Sequence, residues 1–99
     1  MKLLTIGRLR SGADLREIGA HATAEMRALW DLYTAGTVRE MYTPGGPGAV
    51  LVLEAPSAAD AAAAVNRLPL VTAGVIEFDV IELHPFTALS MALAAKEGR

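Results

Sequence analysis

Ninety-nine residues carry nine Lys and Arg against eleven Asp and Glu, a formal charge of −2. With no Lys/Arg cluster interleaved with aromatics, that balance argues against nucleic acid as a partner. The chain has no cysteine, which excludes a disulfide framework, a thiolate metal site and a Cys nucleophile.

Hydrophobic residues make up 53% of the chain, and mean hydropathy is +0.34. No run approaches the roughly 20 apolar residues of a membrane span. The opening stretch Met1–Gly7 is too short for a signal peptide and has no cleavage pattern, so a cytoplasmic protein is expected. The length fits one domain over residues 1–99. Its apolar content exceeds what one small core needs. Such a surplus goes into a ligand cavity or a subunit interface, so at least a homodimer is expected.

Lys2–Arg8 is short and apolar and reads as the first strand, with Gly7 marking a bulge or a close backbone approach. Ser11 followed by Asp14 reads as a helix cap. From Ala13 to about Thr34, Leu15, Ile18, Ala22, Met26, Leu29 and Tyr33 recur at spacings of three and four. They predict one long amphipathic helix, stopped by Gly36. Thr37–Thr43 and Ala49–Glu54 read as strands joined in a hairpin by the turn cluster Pro44–Gly48. Ser57 and Asp60 repeat the cap pattern before an alanine-rich helix, Ala59–Leu68. Leu68-Pro69-Leu70 and Gly74 form a turn-rich entry to the last strand, Val75–Leu83. Along it Ile76, Phe78 and Val80 alternate with Glu77, Asp79 and Ile81. Residues 86–99 read as a C-terminal arm with a helix through Leu89, Met91 and Leu93, set to pack on a neighbouring subunit.

The order β-α-β-β-α-β over residues 1–85 is the ferredoxin-like pattern, an α+β fold with an antiparallel sheet and both helices on one face. Its open sheet face needs a cover, and a second copy of the chain would supply one.

The stretch Leu68–Pro85, with Leu-Pro-Leu, a strand of alternating acids and then His84-Pro85, resembles the C-terminal signature of the muconolactone δ-isomerase family. The resemblance extends back through Glu54–Ser57 and Gly36–Arg39 to about Glu25. It implies a dimeric α+β barrel and a cofactor-free proton shift in an unsaturated lactone. A base takes a proton beside the carbonyl, an acid returns one elsewhere in the conjugated system, and a donor steadies the dienolate oxygen. Where those isomerases carry a histidine and a further basic residue after the arginine, this chain has Glu40 and Thr43. Less positive charge would therefore sit in the pocket.

His21 and Glu25, four apart, share a helix face bordering the apolar stripe. They read either as a base with its orienting partner or as a solvent-edge pair. With His84 they would make a weak metal set, and no metal or cofactor is expected. Arg39, placed by strand alternation opposite Glu40 and Tyr42, would hold a substrate carboxylate or form a salt bridge. Tyr42 would donate to an enolate oxygen. Trp30 would wall a flat ligand or fill an interface. His84 would line the site or brace the strand exit, held extended by Pro85. Glu77 and Asp79 are either paired carboxylates with one raised pKa or solvated partners of Arg39 across a dimer. Two other readings stay open: a non-catalytic ligand-binding or assembly module, and a cofactor-independent monooxygenase or polyketide cyclase on the same barrel. Fold alone does not choose among them.

Overall fold

The computed structural model describes residues 1–97. Four strands form one antiparallel sheet: β1 (Lys2–Leu9), β2 (Val38–Tyr42), β3 (Ala49–Glu54) and β4 (Ile76–Leu83). Their order in space is β2-β3-β1-β4, so each helical connection crosses over a strand laid between its ends. This is the ferredoxin-like α+β arrangement expected from the sequence. The helices are α1 (Arg16–Thr34), α2 (Ala58–Asn66), the single turn α3 (Pro69–Thr72) and α4 (Thr87–Glu97).

Register separates the two faces. Leu3, Thr5 and Gly7 of β1 stand opposite Leu53, Leu51 and Ala49 of β3. On the other side they meet Glu82, Val80 and Phe78 of β4. Leu3, Val38, Leu51 and Leu53 of this face are buried against Ala61, Val65 and Leu68. Each buried leucine contributes roughly 1.5–3 kcal/mol. Ala61 and Ala64 carry only methyl groups, so α2 lies close to the sheet. Thr5 is fully buried and satisfies its hydroxyl on the carbonyl of Leu51 at 3.2 Å. The opposite face carries Leu4, Ile6, Val50, Val52 and Ile81, and among the described residues no helix covers it.

The two expected helix caps behave differently. Ser57 is extended and its hydroxyl accepts the Asp60 N–H at 3.1 Å, starting α2 as expected. Ser11 caps nothing. α1 begins at Arg16, and Asp14 accepts the Arg16 N–H at 3.0 Å. At the other end of α1 Gly36 takes φ +82°, the left-handed stop expected of it.

The inward face of α1 is rotated from the predicted stripe. Ile18, His21, Ala28, Leu29 and Leu32 are half-buried and Glu25 is buried, whereas Leu15, Met26 and Tyr33 are exposed. Ile18 and Leu29 belong to both stripes, so periodicity alone could not separate them.

A bulge in β2 is a second departure. Val38 pairs with Leu53 and Glu40 with Val52, leaving Arg39 as the extra residue. Val38 and Met41 therefore share the helix face, and Arg39 drops out of the alternation that set it opposite Glu40 and Tyr42.

α4 stands away from the body. Phe86 is 80% exposed and Leu89, Met91 and Leu93 are exposed as well. The longest dimension is 62 Å. The radius of gyration is 16.9 Å, against the ~13 Å of a compact chain this long. The arm expected over 86–99 is thus helical to Glu97, and residues 98–99 lie outside the described part.

Candidate active site

A cavity of about 350 Å³ opens between the helices and one end of the sheet. Its floor is the stretch where β2 ends and β3 and β4 begin: Met41, Thr43, Ala49, Leu51, Ile76 and Phe78. Glu25, Met26 and Leu29 of α1 and Leu70 of α3 close it from above. The space exists because side chains are missing or small at this end. A β-carbon on Gly7 would stand 2.7 Å from the Phe78 ring. Gly48, at φ +124°, lies against the Gly7 carbonyl with no room for a β-carbon.

Glu25 is the buried charged side chain of the described residues, 6% exposed. Its Oε1 accepts the backbone N–H of Leu70 at 3.0 Å. Proline at the first position of α3 and the extended Leu68 before it turn that N–H toward α1. Among the described residues no other donor reaches the carboxylate, so Oε2 is left to the cavity. Burial pushes the Glu25 carboxyl up from its ordinary value. The Leu70 N–H and the nearby His21 pull it down, less strongly. A carboxylate so held is a stronger base than a solvated one and still ionises.

His21 lies one turn away on the same helix face, but its Nε2 pairs with Glu17 Oε2 at 3.0 Å and not with Glu25. It acts on Glu25 through space. Tyr42 contributes to the cavity rim. Its hydroxyl donates to Glu40 Oε1 at 2.7 Å, and that carboxylate raises the phenol's pKa.

The other sequence candidates stand elsewhere. Arg39 sits by Val38 and Leu53, at the far end of the sheet from the cavity, and its Nε donates to the Gly36 carbonyl at 2.6 Å. His84 follows Leu83, which pairs with Lys2, also at the far end. Its Nε2 lies 3.0 Å from Glu82 Oε1. Trp30 stacks on Tyr33 with ring centroids 5.8 Å apart, on the outer side of α1, where it borders a shallow groove. Glu77 and Asp79 are on the open face. Asp79 pairs with Arg8, and Glu77 lies 3.9 Å from Arg10. Their partners are thus arginines of their own chain, not Arg39. Among the described residues no three His, Asp or Glu side chains are grouped to hold a metal ion.

The sequence reading missed Leu70, Met41 and Phe78. Leu68-Pro69 carried the signal for Leu70, because a proline after an extended residue starts a helical turn with free N–H groups. Phe78 over Gly7 follows only from the register of β1 and β4.

A solved structure shares this fold. It is 5-chloro-2-hydroxyhydroquinone dehydrochlorinase of Burkholderia phenoliruptrix AC1100, in complex with 2,5-dihydroxybenzoquinone. The two chains superpose with a TM-score of 0.65 at 20% identity, over 85% of this chain and 94% of the other. No family model and no curated protein matches the sequence. No helix among the described residues is long and apolar enough to cross a membrane.

Proposed function

We propose that the protein is a cofactor-independent enzyme that shifts a proton in a small unsaturated cyclic carbonyl compound, with an unsaturated lactone as the leading substrate. The observation that carries this reading is Glu25: one carboxylate with a raised pKa and one free oxygen, in a mostly apolar cavity of ligand size. The neighbour of like fold, a dehydrochlorinase bound to a dihydroxybenzoquinone, lends support from the same broad class of small oxygenated rings.

In this reading Glu25 Oε2 removes the proton on the γ carbon, which is conjugated to the carbonyl through the ring double bond. The C–H electron pair moves into the conjugated system and gives a dienolate, its charge resting on the carbonyl oxygen. The neutral Glu25 carboxyl then returns the proton at the carbon beside the carbonyl, and the double bond ends between the β and γ carbons. No electron leaves or enters. Tyr42 stands at the rim with its side chain on the Val50 face and its hydroxyl on Glu40, so it would supply the hydrogen bond to the dienolate oxygen only by leaving Glu40 and turning in from the open face. His21, held by Glu17, tunes the Glu25 carboxylate from outside the cavity. Arg39, Trp30 and His84 have no part in the chemistry within one chain.

We also propose that the working unit is a homodimer closed over the open sheet face. Ile81 and Leu83 are exposed there beside half-buried Leu4, Ile6, Val50 and Val52. Apolar surface of this kind is characteristic of subunit contacts.

The test is solvent-deuterium exchange followed by proton NMR, with muconolactone and its methyl ester in D₂O. Deuterium entering beside the carbonyl with wild-type protein, and not with Glu25→Gln, is the expected result. Exchange no faster than the protein-free rate for both compounds would remove the proton-shift reading.

A further inference from the structure

The cavity holds a second piece of information, about charge. Its walls are mostly hydrocarbon and thioether, among them Met26, Leu29, Met41, Leu51, Leu70 and Phe78, with the hydroxyl residues Tyr42 and Thr43 beside them. Among the described residues no Lys, Arg or His lines it, and the formal charge on its lining is the single carboxylate of Glu25. The arginine expected to hold a substrate carboxylate, Arg39, is at the opposite end of the sheet, committed to the Gly36 carbonyl. The two positions beyond it, where positive charge would be wanted, are Glu40 and Thr43, and Thr43 is the one that lines the cavity.

We infer that the site takes an uncharged ring: a neutral, single-ring unsaturated lactone, ester or ketone, with no carboxylate of its own. This deepens the proton-shift reading and rests on it for the identity of the reacting group. Two physical effects set the selection. An anionic ligand would give up its water to walls that offer it no cation. It would also lie within a few ångströms of the ionised base, where like charges repel strongly at the low effective dielectric of such a site. Both act on the ground state, so they are read in binding and need no turnover. The volume of about 350 Å³ is at the small end for ligand cavities and suits one substituted ring.

The experiment uses matched acids and esters: muconolactone with its methyl ester, and benzoate with methyl benzoate. The chain has four methionines, and Met26 and Met41 line the cavity. Carbon-13 labelled methionine methyls therefore report occupancy, with Met91 on the arm as an internal control. At pH 7.5 each ester is expected to shift the Met26 and Met41 methyls and to bind at least about 30-fold more tightly than its acid. In Glu25→Gln the gap is expected to narrow at least about tenfold, because the repelling charge is gone while Gln still accepts the Leu70 N–H.

Acids that bind as tightly as their esters would overturn the inference; a cation delivered by a second copy of the chain would give this result. A gap unchanged in Glu25→Gln would also overturn it. If neither pair moves the Met26 and Met41 methyls, the cavity is not a ligand site, and the inference falls with it. Ester binding without deuterium exchange leaves the charge selection standing and removes only the proton-shift reading.

Discussion

The two faces of the sheet treat carboxylates in opposite ways. On the helix face Glu25 is 6% exposed, has one backbone N–H as its partner and has a raised pKa. On the open face Glu77 and Asp79 have side chains about two-thirds exposed, each beside an arginine one or two strand positions from Gly7 or Leu9. Water and a counter-charge already satisfy the second pair, so it has little left to offer a substrate. Burial without a counter-charge leaves Glu25 poised to take a proton. The acids that look most conspicuous in the sequence, alternating along β4, are thus the structural ones. The functional candidate is a lone glutamate on a helix.

Replacing Glu25 is the sharpest way to break this contrast. Glu25→Gln is expected to lower proton exchange by about 10²–10⁴, the usual worth of a positioned base. It should also stabilise the fold at neutral pH. Because the folded-state pKa is raised, the unfolded chain releases its proton first as pH climbs. Stability therefore falls through the window between the ordinary glutamate value and the raised one, and the penalty is complete above it. Gln carries no such penalty. The variant should melt higher than wild type at pH 7, and the two curves should converge below the ordinary glutamate range. Each kcal/mol recovered is worth about 4–8 °C in a domain of this size. Equal melting temperatures at pH 7 would mean that burial of Glu25 is not under strain.

Gly7→Val attacks the cavity without touching its charge. The added side chain meets the Phe78 ring and drives it into the ligand space. Ligand affinity is expected to drop at least tenfold, with about 1–3 kcal/mol of stability lost to overpacking; denaturant melts and the Met41 methyl shift read the two effects separately. On the open face Val52→Asp leaves the cavity intact and places a charge in the proposed dimer contact. Sedimentation should find monomers where wild type gives dimers. Unchanged sedimentation would move the interface elsewhere, with the exposed α4 arm the next surface to examine. Asp79→Asn is the mildest change. An ion pair this exposed contributes about 1 kcal/mol or less, so chemical denaturation and exchange rate should both stay near wild type.

The fold was readable because its signals are local. Alternation in β4, the Pro-Gly turn before β3 and the Ser57 cap each act within a few residues and meet no tertiary competition. The site was readable only in part. Glu25 and Tyr42 were named from residue type and spacing and do reach one cavity. Arg39 lies at the start of β2, far from the cavity at the other end of that strand, and a bulge that leaves no mark in composition takes it out of the alternation. The α1 stripe was misjudged because periodicity rewards apolar residues, while the true inward face has a glutamate at its centre. Leu15 and Tyr33 fit the period equally well and stand outside. Phe78 over Gly7 depends on pairing between strands some 70 residues apart, which no local pattern encodes.

The most direct test of the central claim is a carbon-13 NMR titration of the Glu25 side-chain carboxyl in wild-type protein. The account predicts that Glu25 titrates above the ordinary glutamate range, and that the acid limb of the exchange rate rises at the same pH. A Glu25 midpoint at or below that range would contradict it: the cavity would then hold an ordinary carboxylate with no reason to act as the base.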